Sequence, residues 1–243
     1  MKITALTFTC RRDAEKAALT AQLLPATWRR VWCVSAADAD MPVPEGTEKL
    51  VADFDRGKNL IGEAAVAGMR DVYLRFADDV ETDALIKLDS DTALWRPEAF
   101  SAPLEFSGVD FVYVRRYFVE GRLTANGCCY GMSKRALHRI RALDAKKECA
   151  GKLGAEDVVF STFFTVKNVD LVYCQLDKAR CHWSVAPFVS RSALLSHLGY
   201  YSTDEARGII REMCALLGRV EPNADAFAKK LEAFQNEHGT KKA

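Results

Sequence analysis

Strand and helix signals alternate from the first residues, and this alternation does most to limit the fold. Lys2 to Thr9 reads with a period of two, with threonines set among apolar residues. The period then lengthens: Ala14, Ala17, Ala18, Ala21 and Leu24 share one helical face, Asp13 stands as N-cap, and Glu15 puts a carboxylate in the first turn where the helix dipole favours it. A second unit repeats the scheme. Val31 to Val34 is a short apolar strand; a polar loop rich in Pro and Asp follows, and Ile61, Ala65, Gly68, Val72 and Phe76 then form a helical stripe. Ala84 to Leu88 is the next strand, bounded by Glu81-Thr82-Asp83 and by Asp89-Ser90-Asp91. Strands alternating with helices predict a mostly parallel sheet.

Beyond Pro103 the pattern changes. Phe111 to Phe118 and Thr124 to Met132, separated by a Glu120-Gly121 turn, read as an antiparallel pair, so the sheet is expected to be mixed. Ser133 caps a helix through Leu143, a second helix spans Glu156 to Val166, and Leu171 to Leu176 is a late strand. Amphipathic helices over Asp204 to Leu217 and Asn223 to Phe234 follow, with fraying from Asn236. The 243 residues show no internal repeat and no long linker, which predicts a single α/β domain with a mixed, mostly parallel central sheet flanked by helices.

Charge and cysteine usage narrow the partners. Lys plus Arg is 34 against 33 Asp plus Glu, a formal net charge of +1, so no overall field draws the chain to nucleic acid or anionic lipid. The longest stretches without a charged residue, Ala17 to Trp28 and Ser192 to Thr203, are 12 residues each, too short to cross a bilayer. Neither a transmembrane segment nor a signal peptide is expected; the reading is a cytoplasmic protein, with peripheral membrane attachment left open. Eight cysteines lack Cys-x-x-Cys or zinc-finger spacing and are expected to be reduced, mostly core residues.

The chemistry concentrates where strands end. Asp89-Ser90-Asp91 directly follows Leu85-Ile86-Lys87-Leu88, and in an α/β sheet ligands bind at the carboxyl ends of strands. Two carboxylates one residue apart in a turn can face one hard divalent cation; a solvated acidic turn is the plain alternative. Asn126 to Leu137 is a Gly-punctuated strand running into a Ser-capped helix, where Gly127 lets backbone approach a ligand or simply marks a bulge. Gly154 to Phe160 sets Glu156 and Asp157 at a helix start, for chemistry or for capping. His197, in Ser196-His197-Leu198-Gly199-Tyr200, is one of four histidines and sits in an uncharged stretch, as a ligand or as a surface residue.

Taken in order, these four segments resemble the nucleotide-sugar-dependent glycosyltransferases of the GT-A fold, over about Lys2 to Tyr201. The resemblance implies a divalent metal, manganese before magnesium, a nucleoside diphosphate sugar donor with uridine favoured, and a glycan or other hydroxyl acceptor. It divides the chain into a nucleotide-binding half (1–92), an acceptor and catalytic half (93–203) and C-terminal helices (204–243). Carried over residue by residue, Asp91 is a metal ligand, Asp89 reaches the ribose or the metal, His197 is the late ligand, and Asp157, with Glu156 as second choice, matches the base of inverting members. Thr7, Thr9, Arg11, Asp55, Lys58 and Ser90 complete the candidates for the nucleotide side, because they stand at or beyond the ends of the early strands.

Three rivals come from other classes. A haloacid-dehalogenase-like phosphatase also sets Asp-x-Asp after a strand, but position 93 is Ala, and the Asp78-Asp79 pair precedes the motif instead of following it. A sugar nucleotidyltransferase is expected to carry a Gly-rich basic loop after the first strand, where this chain has Thr9-Cys10-Arg11-Arg12-Asp13. A non-catalytic sugar-nucleotide-binding domain needs the same pocket and differs only in turnover. No Gly-x-Gly-x-x-Gly or Gly-x-x-x-x-Gly-Lys-Ser/Thr is present, against dinucleotide enzymes and P-loop NTPases.

Overall fold

The structure is a computed structural model and describes residues 1–53, 62–119, 122–150, 155–177, 180–182 and 190–238. Asp55, Lys58 and Ile61 lie outside the described residues. The strands are β1 Ile3–Phe8, β2 Arg29–Ser35, β3 Thr47–Ala52, β4 Ala84–Asp89, β5 Thr92–Leu94, β6 Phe111–Val119, β7 Arg122–Ser133, β8 Tyr173–Leu176, β9 Cys181–His182 and β10 Leu195–His197. The α-helices are α1 Ala14–Ala21, α2 Glu63–Ala77, α3 Glu98–Phe106, α4 Lys134–Arg139, α5 Ala145–Cys149, α6 Glu156–Thr162, α7 Thr203–Leu217 and α8 Asp225–His238.

Seven strands form the central sheet in the order β3-β2-β1-β4-β7-β6-β8. β7 runs antiparallel to both β4 and β6, and the other pairs are parallel, which is the mixed sheet the sequence predicts. β1 is buried along its whole length, as a strand covered on both faces must be. Its period of two sorts the side chains: Leu6 and Phe8 join Val31, Cys33 and Leu85 against α2, while Ile3 and Ala5 join Ile86, Leu88 and α3 residues Phe100 and Leu104. Trp32 and Val34 pack with α1, α7 and α8, and Trp32 meets Phe227 edge-on at 5.6 Å. β5, β10 and β9 make a second, three-stranded sheet.

Several local expectations need correction. β3 falls in the stretch read as a polar loop; it is a half-exposed edge strand whose Thr-Glu-Lys start hides the strand period. On α2 the buried face is Val66, Met69, Val72, Tyr73 and Phe76, with Ala65 and Gly68 only half-buried, because the larger apolar side chains remove more area from water. Asp13 occupies the N-cap position of α1 but makes no capping hydrogen bond; its carboxylate receives Arg12 Nε at 3.3 Å and Cys10 Sγ at 3.5 Å. The helix from Ser133 is α-helical only to Arg139 and tightens into a 3₁₀ turn at Ile140–Ala142, while the helix from Glu156 passes into a π-turn after Thr162. α3 carries Pro103 inside it, and that proline masks the helical period in the sequence. α8 continues through Asn236 to His238, past the expected fraying point. Ser133 does cap its helix, accepting from the Ala136 amide at 3.1 Å. All eight cysteines are free, and no described helix is long and apolar enough to cross a membrane.

Candidate active site

β1 and β4 lie side by side and parallel, with Thr7 in register with Leu88 and Phe8 with Asp89, so the ends of both strands open on the same rim. This is where the strand order departs from the β3-β2-β1 run, the position at which open α/β sheets bind ligands. After Asp89 the chain turns through Ser90 and Asp91 into β5. β10 pairs antiparallel with β5 and sets His197 opposite Thr92, one residue past Asp91. The amide of Leu198 donates to the Asp91 carbonyl at 2.6 Å. Donor atoms of Asp89, Asp91 and His197 therefore converge within 4.8 Å of one another, with His197 Nε2 3.4 Å from Asp91 Oδ1.

Helix α1 braces this junction from one side. Lys16 Nζ donates to the carbonyls of Leu198 and Tyr201, and Thr20 Oγ1 donates to the Ser90 carbonyl at 3.2 Å. Behind β10, buried Trp95 Nε1 donates to Ser196 Oγ at 2.8 Å. Gly199 completes the cradle: a Cβ there would stand 2.7 Å from both Asp91 Oδ2 and His197 Cε1, so only glycine leaves that space open. Two carboxylates and an imidazole around such a space suit a hard-to-borderline divalent cation.

A second group of side chains lies on the α2 face of β4. Lys87, which reading the sequence for motifs passes over, is fully buried, and its Nζ contacts Asp89 Oδ1 at 2.8 Å, Glu156 Oε1 at 3.1 Å and the Gly127 carbonyl. The signal was present as a lysine inside the apolar run Leu85 to Leu88, two residues from Asp89 and hence on the same strand face. Tyr130 Oη donates to Glu156 Oε2 at 3.0 Å and meets Tyr73 Oη at 2.7 Å. Burial raises the Glu156 carboxyl to about 7 against the opposing pull of Lys87, and neighbouring Asp157 and Asp89 push the same way as burial. Asp157 is buried beside it and accepts from the Val158 amide at 2.9 Å. Ala155, which has no capping group, holds the N-cap position, so neither acid is the cap of α6.

The remaining sequence candidates have definite places. Thr7 and Thr9 are buried on the rim of β1, Thr9 with its amide on the Cys33 carbonyl at 3.1 Å. Arg11 lies between Asp38, 3.5 Å from its Nε, and the ring of Phe234 on α8, whose centroid is 4.9 Å from the guanidinium. Ser90 is fully buried in the turn, and its Oγ finds no hydrogen-bond partner among the described residues. The close approach at Gly127 is to the acidic pair: a Cβ there would lie 2.9 Å from Glu156 Oε1 and 3.1 Å from Asp157 Cβ.

No protein-family model matches the chain, and no curated protein matches it by sequence. Solved structures do match. The galactosyltransferase LgtC, solved in complex with donor and acceptor sugar analogues, has a TM-score of 0.51 and 13% sequence identity, covering 93% of this chain and 99% of that one. The chain has a GT-A-like fold. A glycosyltransferase involved in glycosylation of the major capsid of PBCV-1 matches at a TM-score of 0.49 and 13% identity, over 84% of this chain and 96% of that one. In the GT-A-like sheet of this chain, Asp89, Asp91 and His197 come together at the strand ends, and Glu156 and Asp157 open α6 beside β7.

Proposed function

We propose that the protein is a glycosyltransferase that moves a sugar from a nucleoside diphosphate sugar to an acceptor hydroxyl with the help of a divalent cation. The convergence of Asp89, Asp91 and His197 at the shared rim of β1 and β4 carries this reading. The imidazole in the donor set favours manganese over magnesium, which prefers oxygen. When bound, the cation neutralises the diphosphate leaving group.

The chain's own residues supply the rest. Gly199 lets the Asp91 and His197 side chains close in on the backbone beside the donor site. Asp157 takes the proton of the attacking hydroxyl, in a single displacement that inverts the anomeric carbon. Glu156 is fixed beside it by Lys87 and Tyr130. Thr7, Thr9, Arg11 and Ser90 stand on the nucleotide side of the site, for which a uridine base is favoured. The 1–92 segment binds the donor, 93–203 brings the acceptor and base, and 204–243 supplies the C-terminal helices. A cytoplasmic location is part of the same reading.

A panel of nucleotide sugars screened for thermal stabilisation with and without manganese tests the reading, since a ligand bound only by the folded state raises its apparent stability. Stabilisation by one nucleoside diphosphate sugar that depends on manganese is expected, followed by transfer with inversion, read from the product anomer by NMR. No stabilisation by any donor in either condition rejects it.

A further inference from the structure

We infer that Lys87 is a positioning residue: it ties the Asp89 turn to the start of α6, so that the cation end and the proton-accepting end of the site keep one fixed separation. The inference rests on the glycosyltransferase reading above. Lys87 has no exposed surface, lies 5.9 Å from the Phe8 ring centroid and 5.5 Å from that of Tyr130, and places its ammonium between groups from three elements: Asp89 of β4, the Gly127 carbonyl of β7 and Glu156 of α6. Glu156 is held on both oxygens, by Lys87 on one and by Tyr130 on the other. A lysine buried this deeply is costly, and an apolar residue of like volume serves a core at least as well. Its place here has a geometric reason.

β4 and α6 lie far apart in the chain and belong to different layers, and no strand pairing joins them. The Asp91–His197 end, by contrast, has ties of its own in the β5–β10 pairing, the Leu198–Asp91 backbone bond and the Lys16 contacts. Lys87 bridges the first pair and is absent from the second. Removing it should therefore disturb the distance between reacting groups more than cation capture, which loses a support of Asp89 but keeps the Asp91–His197 end.

The test compares Lys87→Met, Glu156→Gln and the double variant, because the double variant removes the lysine together with its more deeply buried carboxyl partner, which the single lysine variant leaves unpaired. Manganese affinity is read by electron paramagnetic resonance, and kcat and KM by sugar transfer. The double variant should bind manganese within about tenfold of wild type, the scale for one lost support of a ligand, yet at saturating manganese and donor turn over about tenfold or more slower than Glu156→Gln alone, as a small misplacement of reacting groups requires. A double variant as fast as Glu156→Gln makes Lys87 a counter-charge only and overturns the inference. Manganese binding lost as in Asp91→Asn, or a double variant that does not fold, overturns it too. If wild type transfers no sugar, the glycosyltransferase reading fails separately. Hydrogen exchange then decides: faster exchange at both Gly127–Tyr130 and Glu156–Phe160 in the double variant supports the tie, and unchanged exchange refutes it.

Discussion

The amide of Leu198 donates to the carbonyl of Asp91 over 2.6 Å, joining the loop after β10 to the turn after β4. The bond uses main chain only, so it sets the spacing between Asp91 and His197 whatever their protonation. The candidate cation site is thus framed by backbone before any ligand arrives.

Asp91→Asn should leave the fold intact and weaken manganese binding about 100-fold or more, since even partners outside the ligand shell are worth about 10- to 100-fold. Paramagnetic resonance titration checks the affinity and circular dichroism the fold. Unaltered manganese-dependent donor binding would remove Asp91 from the site.

Gly199→Ala should do similar damage without replacing a candidate ligand. The added methyl would stand 2.7 Å from Asp91 Oδ2 and from His197 Cε1, closer than real contacts allow, so the two side chains must separate. Loss of metal-dependent donor stabilisation with a near-normal melting temperature for the free protein is the expected outcome in a thermal shift assay.

Lys16→Met tests the brace from α1. Without the donors to the Leu198 and Tyr201 carbonyls, the loop loses its anchor, and manganese affinity should fall about tenfold, the scale seen when outer supports of a metal site are removed. Hydrogen exchange at Leu198 and Tyr201 should quicken in step; slow exchange with normal affinity would show that β10 alone holds the loop.

Asp157→Asn separates chemistry from a local hydrogen bond at the start of α6. Turnover should fall about 100- to 10,000-fold while donor affinity stays within error. If its role is confined to the Val158 amide, the change costs about 1 kcal/mol of stability and spares the rate. Calorimetry beside a transfer assay distinguishes the two.

Far from the site, Arg29 grips Glu48 with two hydrogen bonds of 2.7 Å and also pairs with Asp79. The Arg29 hydrogen bonds hold the Glu48 carboxyl below its usual range. A carboxyl lowered on folding stabilises above its unfolded value, and that contribution disappears as pH falls through its folded value. Wild type should therefore exceed Glu48→Gln at pH 7 by at most about 1 kcal/mol, because the pair is half-exposed and screened. The difference should close once acid titrates the carboxyl below its unfolded pKa of about 4.3. Melting temperatures across pH check it; a gap that persists in acid points to packing.

The central strands were legible because β1, β2 and β4 are buried on both faces and must be written in apolar letters. β3 was not, since an edge strand tolerates Glu and Lys on its exposed face. The short strands β5, β9 and β10 escape notice for another reason: at two or three residues they carry no period, and pairing with a distant partner defines them. That pairing is what delivers His197, so a motif reading could name the histidine but could not bring it to Asp91. Lys87 escaped because a motif search looks at loops, and its partners on β7 and α6 come from remote sequence.

The three candidate ligands of the proposed cation site leave the ribosome in a telling order. Both aspartates are synthesised with the early strands, but the imidazole, its glycine and the strand that aligns them belong to a much later stretch. A nascent chain that has folded its first βα units offers an incoming ion two carboxylates in a turn and nothing to complete them. Under the proposed reading, tight retention of a cation is a property of the finished tertiary structure, and a chain arrested before β10 should let it go.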